Sequence, residues 1–412
     1  MTLIVQKYGG SSLANADAIL NVARRIANAS QLGNKIVAVV SAMGQSTDDL
    51  INLAHEVSDN PDPREMDVLL STGELVSCTL LAMALRSIGE DAVSLSGSQA
   101  GIQTNTQYGK AMIASIEPKR IIAELDRKRI VIIAGYQGIS ENMDVTTLGR
   151  GASDLTAVAI AARIGSYRCE IYSDVDGIFT ADPNLVPNAQ VIDEIGFEEM
   201  LEMASYGAKM NPRSIELAMA YNIPVLVTSS FSRVKGTIIH QGESMENNVG
   251  ELRNRVRGIA TDNNVAKITI SGVVDRPGIA AELFEPLAEA GISVDIIVQN
   301  AGVHGTTDFT FTVQSPDLTH AEQITRRVSS RIKGSGVISG IGLAKVSIVG
   351  TGMQDTPGYA AKMFRTLADS KINIDTISTS EIRITCIINS SHLEDAVRSL
   401  HEVFELDNSE TK

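Results

Sequence analysis

The sequence predicts an α/β protein, with an N-terminal αβα sandwich around a mainly parallel sheet and two smaller α+β domains behind it. Three observations support this fold class. Through about residue 230, short β-branched runs alternate with longer helical stretches, which is typical of βαβ units. A polar segment, 242–254, then indicates a linker. Beyond the linker, a strand–helix–strand pattern occurs twice, and its second copy lies 80 positions after the first.

The first domain can be assigned element by element from its residue patterns. Predicted strands cover residues 2–8, 35–41, 130–134, 168–173 and 223–228. Behind Asn15, a residue type that commonly caps helices, Ile19, Val22 and Ile26 recur at helical spacing, so a helix follows the first strand. A long apolar helix is predicted over 69–85. This alternation of strands and helices predicts the mainly parallel sheet.

The repeat consists of two copies of one unit, each about the size of a small α+β domain. In both copies a strand leads through an Asp-x-Pro-Gly turn, at 275–278 and at 355–358, into a helix. Pro277, Phe284, Leu287, Ile292 and Asp295 recur as Pro357, Phe364, Leu367, Ile372 and Asp375. The N–H groups at these helix starts can receive a ligand carboxylate, so we expect the repeat to sense amino acids. Simple dimerisation is the alternative.

The composition bears on partners and location. The 35 Lys and Arg residues against 49 Asp and Glu residues give a net charge of −14 with no basic run, so no nucleic-acid partner is expected. The N-terminus lacks a signal-peptide stretch, and no apolar run reaches the roughly 18 residues that span a bilayer. We therefore expect a cytoplasmic protein that does not bind or span a membrane. Scattered cysteines and histidines, without metal-ligand spacing, predict reduced thiols and no protein-built metal site.

The candidate site lies in the loops that follow the strands, because ligands of an open α/β sheet bind at the carboxyl ends of its strands. The first strand ends in Lys7-Tyr-Gly-Gly-Ser-Ser12. Its glycines let the backbone approach an anion, the following helix start offers N–H groups, and Lys7 adds a positive charge. This pattern predicts a phosphate cradle without a Walker motif, and a tight strand-to-helix turn is the alternative.

Three further segments carry groups suited to an amino-acid substrate. Ser41 and Thr47 follow the second strand and supply hydroxyls for a carboxylate. Glu74, in Ser-Thr-Gly-Glu, enters the long apolar helix and can meet an ammonium group, although an ordinary helix-start glutamate is the alternative. Thr-Thr-Leu-Gly-Arg-Gly-Ala-Ser-Asp pairs Arg150, a fork for carboxylate or phosphate, with Asp154 before a helix predicted at 155–164.

An acidic, turn-rich loop follows the strand that ends near residue 173. It runs from Ser173 through Asp174 to Asp182 and Pro183, and Lys209 supplies a further cation beyond it. A nucleotide carrying Mg²⁺ would suit both kinds of charge. Each of these loops alone could be a solvated turn, but five glycine- and charge-bearing loops together favour a binding site.

In their order along the chain, these motifs resemble the aspartate kinases of the amino-acid kinase superfamily. The resemblance covers essentially the whole chain and implies ATP with Mg²⁺ as phosphoryl donor, L-aspartate as acceptor and 4-phospho-L-aspartate as product. It makes Lys7, Asp154 and Lys209 the catalytic residues. The implied nucleotide-binding residues are Lys7, Gly9, Gly10, Ser11, Ser173, Asp174, Phe179, Asp182 and Lys209. The implied aspartate-binding residues are Ser41, Thr47, Glu74, Arg150 and Asp154.

The C-terminal repeat resembles tandem ACT domains, which are βαββαβ (ferredoxin-like) modules that bind amino acids between paired copies. The resemblance implies lysine and threonine as effectors and either a homo-oligomer or a complex with a regulatory chain made of ACT domains alone. The implied effector-binding residues are Asp275, Gln299, Asn300, Asp355 and Thr379. The domains are expected at 1–245 (kinase), 255–340 (first ACT) and 341–412 (second ACT), with terminal strands that can be exchanged between the two ACT domains.

The expected chemistry suits these residue types. A side-chain carboxylate is ionised at neutral pH, since the unperturbed Asp pKa is about 3.9, so the acceptor needs no general base. The site has only to hold two anions in line and neutralise charge. The chain departs from the family pattern at Ala152, Leu155, Phe179 and Asn184, and Ala152 requires a backbone position without positive φ. A kinase for another carboxylate and an inactive amino-acid sensor stay open as alternatives.

Overall fold

The computed structural model forms two compact units. The described residues are 2–205, 210–242, 256–300, 305–353 and 356–407. Unit 1 comprises Met1–Phe179 and Val191–Val249, and unit 2 comprises Thr180–Gln190 and Gly250–Lys412. The short segment Thr180–Gln190 therefore packs with unit 2, although the residues on both sides of it belong to unit 1.

The described part of unit 1 is built around an eight-stranded sheet. Its strands, together with those of a smaller sheet, are β1 (Leu3–Tyr8), β2 (Lys35–Val40), β3 (Ala92–Leu95), β4 (Ile102–Thr104), β5 (Ile113–Ile116), β6 (Ile130–Ala134), β7 (Gln137–Ser140), β8 (Val145–Thr147), β9 (Arg168–Ser173), β10 (Glu194–Gly196), β11 (Val225–Ser229) and β12 (Thr237–His240). The large sheet has the order β10-β12-β11-β9-β1-β2-β6-β3, and the small one β5-β4-β7-β8. Within the large sheet the neighbours pair in parallel except β11 with β12. The predicted mainly parallel sheet is confirmed.

Helices cover this sheet, and their packing follows their apolar faces. They are α1 (Ala16–Gln31), α2 (Ser46–Val57), α3 (Pro63–Ser87), α4 (Lys119–Asp126), α5 (Ala152–Ile164), α6 (Phe197–Ser205) and α7 (Pro212–Tyr221). The Asn15 side chain caps α1 by accepting the Ala18 N–H at 3.0 Å, as predicted. Ile19, Val22 and Ile26 of α1 are buried in one core with residues of α3, β1, β2 and β6.

Helix α3 corrects two sequence-based expectations. It begins at Pro63 rather than at residue 69, because Asp62 caps it by accepting the Arg64 and Glu65 N–H groups and Pro63 suits the first helical position. Its most apolar window has a mean hydropathy of 1.8, so by length and composition it could cross a membrane, although 56% of that window is buried in unit 1. An uninterrupted apolar run is thus too strict a criterion for recognising a helix that is long and apolar enough to cross a membrane, because interspersed Ser and Thr residues lower the mean hydropathy only slightly.

Unit 2 contains the two copies of the repeat in one antiparallel sheet. Its elements are β13 (Gly258–Val274), α8 (Ile279–Glu289), β14 (Ile297–Asn300), β15 (Thr306–Gln314), α9 (Leu318–Arg331), β16 (Gly336–Val349), α10 (Tyr359–Asp369), β17 (Ile374–Thr379), β18 (Arg383–Asn389) and α11 (Leu393–Val403). The order of the described strands is β14-β15-β13-β16-β18-β17. Residues 258–262 pair with 345–349, and 267–271 pair with 336–340, so β13 and β16 each serve both copies.

Two ion pairs join the copies across this sheet. Lys267 in β13 contacts Asp375 of the second copy at 2.6 Å, and Lys345 in β16 pairs with Asp295 of the first. The two aspartates are equivalent positions of the repeat, so the two ion pairs between the copies are equivalent as well.

The segment Thr180–Gln190 is held by β13 and α11 of unit 2. The Ile259 N–H donates to the Thr180 carbonyl at 2.7 Å, and the Thr180 hydroxyl lies 2.9 Å from the buried His401 imidazole. Arg398 of α11 donates to the Leu185 carbonyl at 2.8 Å. These contacts explain why the segment groups with unit 2.

Candidate active site

The site begins where three parallel strands of unit 1 end side by side. Tyr8 of β1 lies opposite Val40 of β2 and Tyr172 of β9. Directly after the strands, the Gly9 N–H donates to the Tyr172 carbonyl and the Ser41 N–H donates to the Tyr8 carbonyl, both at 3.1 Å. The loops after β1, β2 and β9 therefore start at one edge of the sheet, as expected for a ligand site of this fold.

The glycine loop after β1 packs so closely against the loop after β2 that Gly10 has no room for a side chain. Gly10 has an ordinary helical conformation, with φ −60°, but a Cβ there would lie 2.9 Å from the Ala42 carbonyl oxygen. The Gly44 N–H also donates to the Gly10 carbonyl at 3.0 Å, which fixes this loop against the loop after β2. Ser11 is exposed at the start of the short turn that follows. The backbone is thus open to an anion on one side and packed on the other.

Lys7 and Asp154 form the charged centre of the site. The Lys7 ammonium lies 2.7 Å from Asp154 Oδ1, and the two side chains are only 12% and 9% exposed. Asp154 belongs to the first turn of α5, where a carboxylate is favoured by the helix dipole. A Cβ at Gly9 would lie 3.7 Å from the ammonium, so the glycine backbone and the cation of Lys7 stand together. This arrangement fits the oxygens of a phosphate group.

Glu74 lies in the middle of α3 and is buried, so the alternative of an ordinary helix-start glutamate is wrong. Its Oε1 accepts the Ala42 N–H at 3.2 Å. Its Oε2 is buried and has no hydrogen-bond partner within the described residues. Burial raises the pKa of Glu74 to about 7. A buried carboxylate oxygen without a donor is costly, so this position is suited to a cationic ligand.

Arg150 is presented by a loop that requires glycine on both of its sides. Gly149 and Gly151 have φ values of +92° and +75°, which favour glycine, and Gly151 is the N-terminal cap of α5. Ala152 begins the helix without positive φ, so alanine fits there. The Arg150 side chain is 75% exposed and forms an ion pair with Asp48 in the first turn of α2.

Two polar side chains that the sequence analysis did not single out, the buried Asp67 and the half-buried Arg213, hold this loop in place. Asp67 of α3 accepts the Thr147 N–H at 2.9 Å and the Gly109 N–H at 3.0 Å. Arg213 of α7 donates to the Leu148 carbonyl at 2.8 Å. A helical pattern could have revealed the aspartate, because Asp67, Ser71 and Glu74 fall on one face of an otherwise apolar helix.

The other predicted aspartate-binding residues lie beside the same loops. Ser41 follows β2 and is half-buried, and Thr47 lies in the first turn of α2. On the predicted nucleotide side, Ser173 is the last residue of β9 and Asp174 follows it as an exposed residue. Their positions at the strand ends are as predicted, and their roles stay predictions.

The acidic loop separates into two parts. Phe179 still belongs to unit 1 and pairs with Val191 in an isolated antiparallel bridge. Asp182 lies in the segment that packs with unit 2, where its carboxylate accepts the Asn184 N–H at 2.9 Å. Asp182 is therefore not among the residues that unit 1 brings together, and Lys209 lies outside the described residues. The nucleotide role of each stays a prediction.

The predicted effector residues lie on exposed parts of unit 2. Gln299 and Asn300 are exposed on β14, at one edge of the sheet, and Thr379 is exposed on β17, at the opposite edge. Asp275 is exposed in the turn before α8, with its N–H donating to the Gly305 carbonyl at 2.9 Å. Asp355 lies outside the described residues.

Comparison with known proteins identifies the family. Residues 2–229 match the model of the amino acid kinase family, and residues 268–326 and 346–404 match that of the ACT domain. Over 410 residues the chain is 47% identical to an aspartokinase of Corynebacterium glutamicum, covering 98% of this chain and 97% of that protein. The chain belongs to the aspartokinases. An aspartokinase of Pseudomonas aeruginosa is 46% identical over 411 residues, covering 99% and 98% of the two chains.

Solved aspartokinases also share the architecture. The crystal structure of E. coli aspartokinase III in complex with aspartate and ADP has a TM-score of 0.83 and 26% sequence identity, and the match covers 97% of this chain and 99% of that one. The motif-based assignment to the aspartokinases, with a C-terminal pair of ACT domains, is confirmed. This aspartokinase-family chain is an ATP-dependent kinase.

Proposed function

We propose that this protein transfers the γ-phosphoryl group of ATP to the side-chain carboxylate of L-aspartate, giving 4-phospho-L-aspartate. One observation carries the proposal, namely that Ala42 touches both halves of the site. Its N–H donates to the buried Glu74 carboxylate at 3.2 Å, and its carbonyl oxygen would lie 2.9 Å from a Cβ at Gly10. A position for an ammonium group and a cradle for a phosphate group therefore adjoin one residue.

The polar groups suit an α-amino acid with a second carboxylate. Glu74 would meet the α-ammonium group, and Arg150 would bind the α-carboxylate as a fork. Ser41 and Thr47 would add hydroxyl donors, leaving the side-chain carboxylate to face the cradle. The crystal structure of E. coli aspartokinase III with aspartate and ADP supports aspartate as the acceptor.

Positioning and charge neutralisation would account for the chemistry, because an ionised carboxylate is already the nucleophile. The Lys7 ammonium stands beside the glycine backbone and would stabilise negative charge on the transferring phosphoryl group. Asp154 would hold this ammonium in place through the 2.7 Å ion pair. Lys209 would add a second cation.

The cradle fits the phosphates of ATP, since the glycine backbone at Gly9 lies beside the Lys7 ammonium and Gly10 lets the loop pack closely against the Ala42 carbonyl. Within the described residues no cluster of three or more His, Cys, Asp or Glu side chains could hold a metal ion by itself. Mg²⁺ would arrive with the nucleotide, and Ser173 and Asp174 at the end of β9 would offer it oxygen ligands on the nucleotide side. When bound, it would neutralise charge on the phosphate oxygens.

We also propose feedback control by lysine and threonine through unit 2. The product would enter lysine, threonine and methionine biosynthesis, so end products of that route are natural effectors. E. coli aspartokinase III has been solved in complex with lysine and aspartate, at a TM-score of 0.72 and 26% identity to this chain. Asp275, Gln299, Asn300, Asp355 and Thr379 would bind the effectors, in a homo-oligomer or in a complex with an ACT-only chain.

An acyl-phosphate assay tests the function directly. The purified full-length chain is incubated with ATP, Mg²⁺ and one amino acid at a time, and hydroxylamine traps any acyl phosphate as a hydroxamate. Hydroxamate with aspartate is expected. Product with another carboxylate instead would favour the kinase of a different acceptor, and no product with any amino acid, together with amino-acid binding to unit 2, would favour the sensor. Titrating lysine and threonine singly and jointly tests the effectors, and unchanged rates at millimolar concentrations would reject them.

A further inference from the structure

The exposed end of the substrate site contains a carboxylate of the protein itself. Arg150, the proposed fork for the substrate α-carboxylate, forms an ion pair with Asp48. The two residues are 102 positions apart in sequence, and both side chains are largely exposed, 75% for the arginine and 56% for the aspartate. Asp48 directly follows Thr47, another residue proposed to bind aspartate. The guanidinium thus already holds a group of the same chemistry as the ligand it would bind.

We propose that Asp48 is an internal competitor that sets the affinity for the amino-acid substrate. Its carboxylate holds the Arg150 guanidinium before aspartate arrives, and it is displaced when the substrate α-carboxylate takes its place. The inference deepens the proposed function and rests on it, since it concerns the same Arg150. No contribution of Asp48 to the phosphoryl transfer itself follows from this arrangement.

The structure makes this exchange feasible. Asp48 is in the first turn of α2, where the helix dipole favours a negative charge, so the carboxylate is held on a fixed element. Arg150 lies between two glycines with positive φ and is exposed, so its long side chain can turn from one carboxylate to another. An exposed ion pair of this kind is weak, and it shifts a competing equilibrium by a factor of about two to five.

If Asp48 had the opposite role, its removal would change the affinity for aspartate in the opposite direction. If the ion pair served to preorganise Arg150 for the substrate, removing Asp48 would weaken aspartate binding. The neighbouring Asp49 offers a matched control, because it lies in the same first turn of α2, carries the same charge and has no ion pair with Arg150 among the described residues. Comparing the two asparagine variants cancels effects of net charge and of the helix dipole.

The experiment measures the KM for aspartate and for ATP in full-length wild type, Asp48→Asn and Asp49→Asn. We expect Asp48→Asn to lower the aspartate KM about two- to five-fold, with the ATP KM unchanged and Asp49→Asn like wild type. A raised aspartate KM in Asp48→Asn, or the same change in both variants, would overturn the proposal.

A second measurement is independent of turnover. Phenylglyoxal modifies accessible guanidinium groups, and mass spectrometry follows the reaction at Arg150. Asp48→Asn should speed this modification about two- to five-fold and lower the aspartate concentration that half-protects Arg150, whereas Asp49→Asn should do neither. Equal labelling and equal protection in the two variants would reject the competitor even in an active enzyme. If wild type makes no aspartyl hydroxamate while the labelling responds as expected, the proposed function fails and the exchange at Arg150 stands.

Discussion

If Glu74 binds the substrate ammonium group as proposed, its raised pKa predicts how aspartate binding depends on pH. Burial raises this pKa from 4.5 to about 7, and only the ionised carboxylate can pair with an ammonium group. About a tenth of the unliganded protein is ionised at pH 6 and about nine tenths at pH 8. The KM for aspartate should therefore rise about tenfold as the pH falls from 8 to 6.

The matched perturbation is Glu74→Gln, which keeps the size of the side chain and removes its charge. At pH 8 the variant loses a charge-assisted hydrogen bond to the substrate, worth about 2 kcal/mol, so its aspartate KM should be about thirtyfold higher. Its KM should also be nearly independent of pH between 6 and 8. The side-chain carboxylate of aspartate, with a pKa of about 3.9, stays ionised over this range and adds no dependence of its own.

Initial rates by hydroxamate formation, at saturating ATP and at half-unit steps of pH, provide the test. The KM for ATP serves as the internal control, because Glu74 contacts the loop after β2 through Ala42 and would bind no phosphate. A wild-type aspartate KM that is flat from pH 6 to 8, or a slope that persists in Glu74→Gln, would refute the assignment of Glu74 to the ammonium group.

Three further predictions follow from the same contacts. Because the folded pKa of Glu74 lies above its unfolded value of 4.5, the protonated carboxyl stabilises the fold fully below pH 4.5, and this contribution is lost as the pH rises through 7. Glu74→Gln should therefore raise the unfolding free energy of the substrate-free protein by up to about 3 kcal/mol at pH 8, measured by urea unfolding, and a variant no more stable than wild type would contradict this. Lys7→Ala should lower kcat about a hundredfold, with little change in the aspartate KM, and a kcat within a few-fold of wild type would exclude Lys7 from the mechanism. Asp67→Asn should cost about 1–3 kcal/mol of stability and raise the aspartate KM, because it replaces one of the two carboxylate oxygens that accept the Thr147 and Gly109 N–H groups by an NH₂ donor and so loosens the Arg150 loop. Unchanged urea midpoints would show that Asp67 does not hold this loop.

Local sequence signals predicted five of the twelve strands that the structure describes in unit 1, all of them in the large sheet, and the loops that follow β1 and precede α5. The cradle after β1 and the charged loop before α5 both follow from glycine and charge placed at a strand end or a helix start, and such signals act over a few residues. The start of α3 was misplaced because its apolar pattern was weighed above the Asp62-Pro63 cap. The alternative of a helix-start role for Glu74 followed from the same misplaced start, since Glu74 lies in the interior of α3.

Contacts between distant parts of the chain could not be read from the sequence. The pairing of Asp48 with Arg150 spans 102 positions, and the contact of Thr180 with His401 spans 221. Neither aspartate nor threonine carries a local signal of its partner, because the partner is set by the packing of whole elements. The burial of Glu74 is likewise a property of the assembled sandwich, and its raised pKa follows only from that burial.

The two ends of the proposed substrate site differ in what they offer before aspartate arrives, and this difference predicts its selectivity. At Arg150 the substrate would exchange one carboxylate for another, with little net gain. At Glu74 it would supply a cation to a buried oxygen that has no partner among the described residues. The ammonium group should therefore contribute more to binding than the α-carboxylate.

Two aspartate analogues test this order of contributions. Succinate lacks the ammonium group, and 3-aminopropanoate lacks the α-carboxylate. At pH 8 succinate should inhibit more weakly than 3-aminopropanoate, by about tenfold or more. Inhibition by 3-aminopropanoate should strengthen from pH 6 to 8 as Glu74 ionises, whereas inhibition by succinate should not. Inhibition constants measured in competition with aspartate provide the test. If succinate bound as tightly as 3-aminopropanoate, or if its affinity increased as the pH rises, the substrate would not be selected through Glu74.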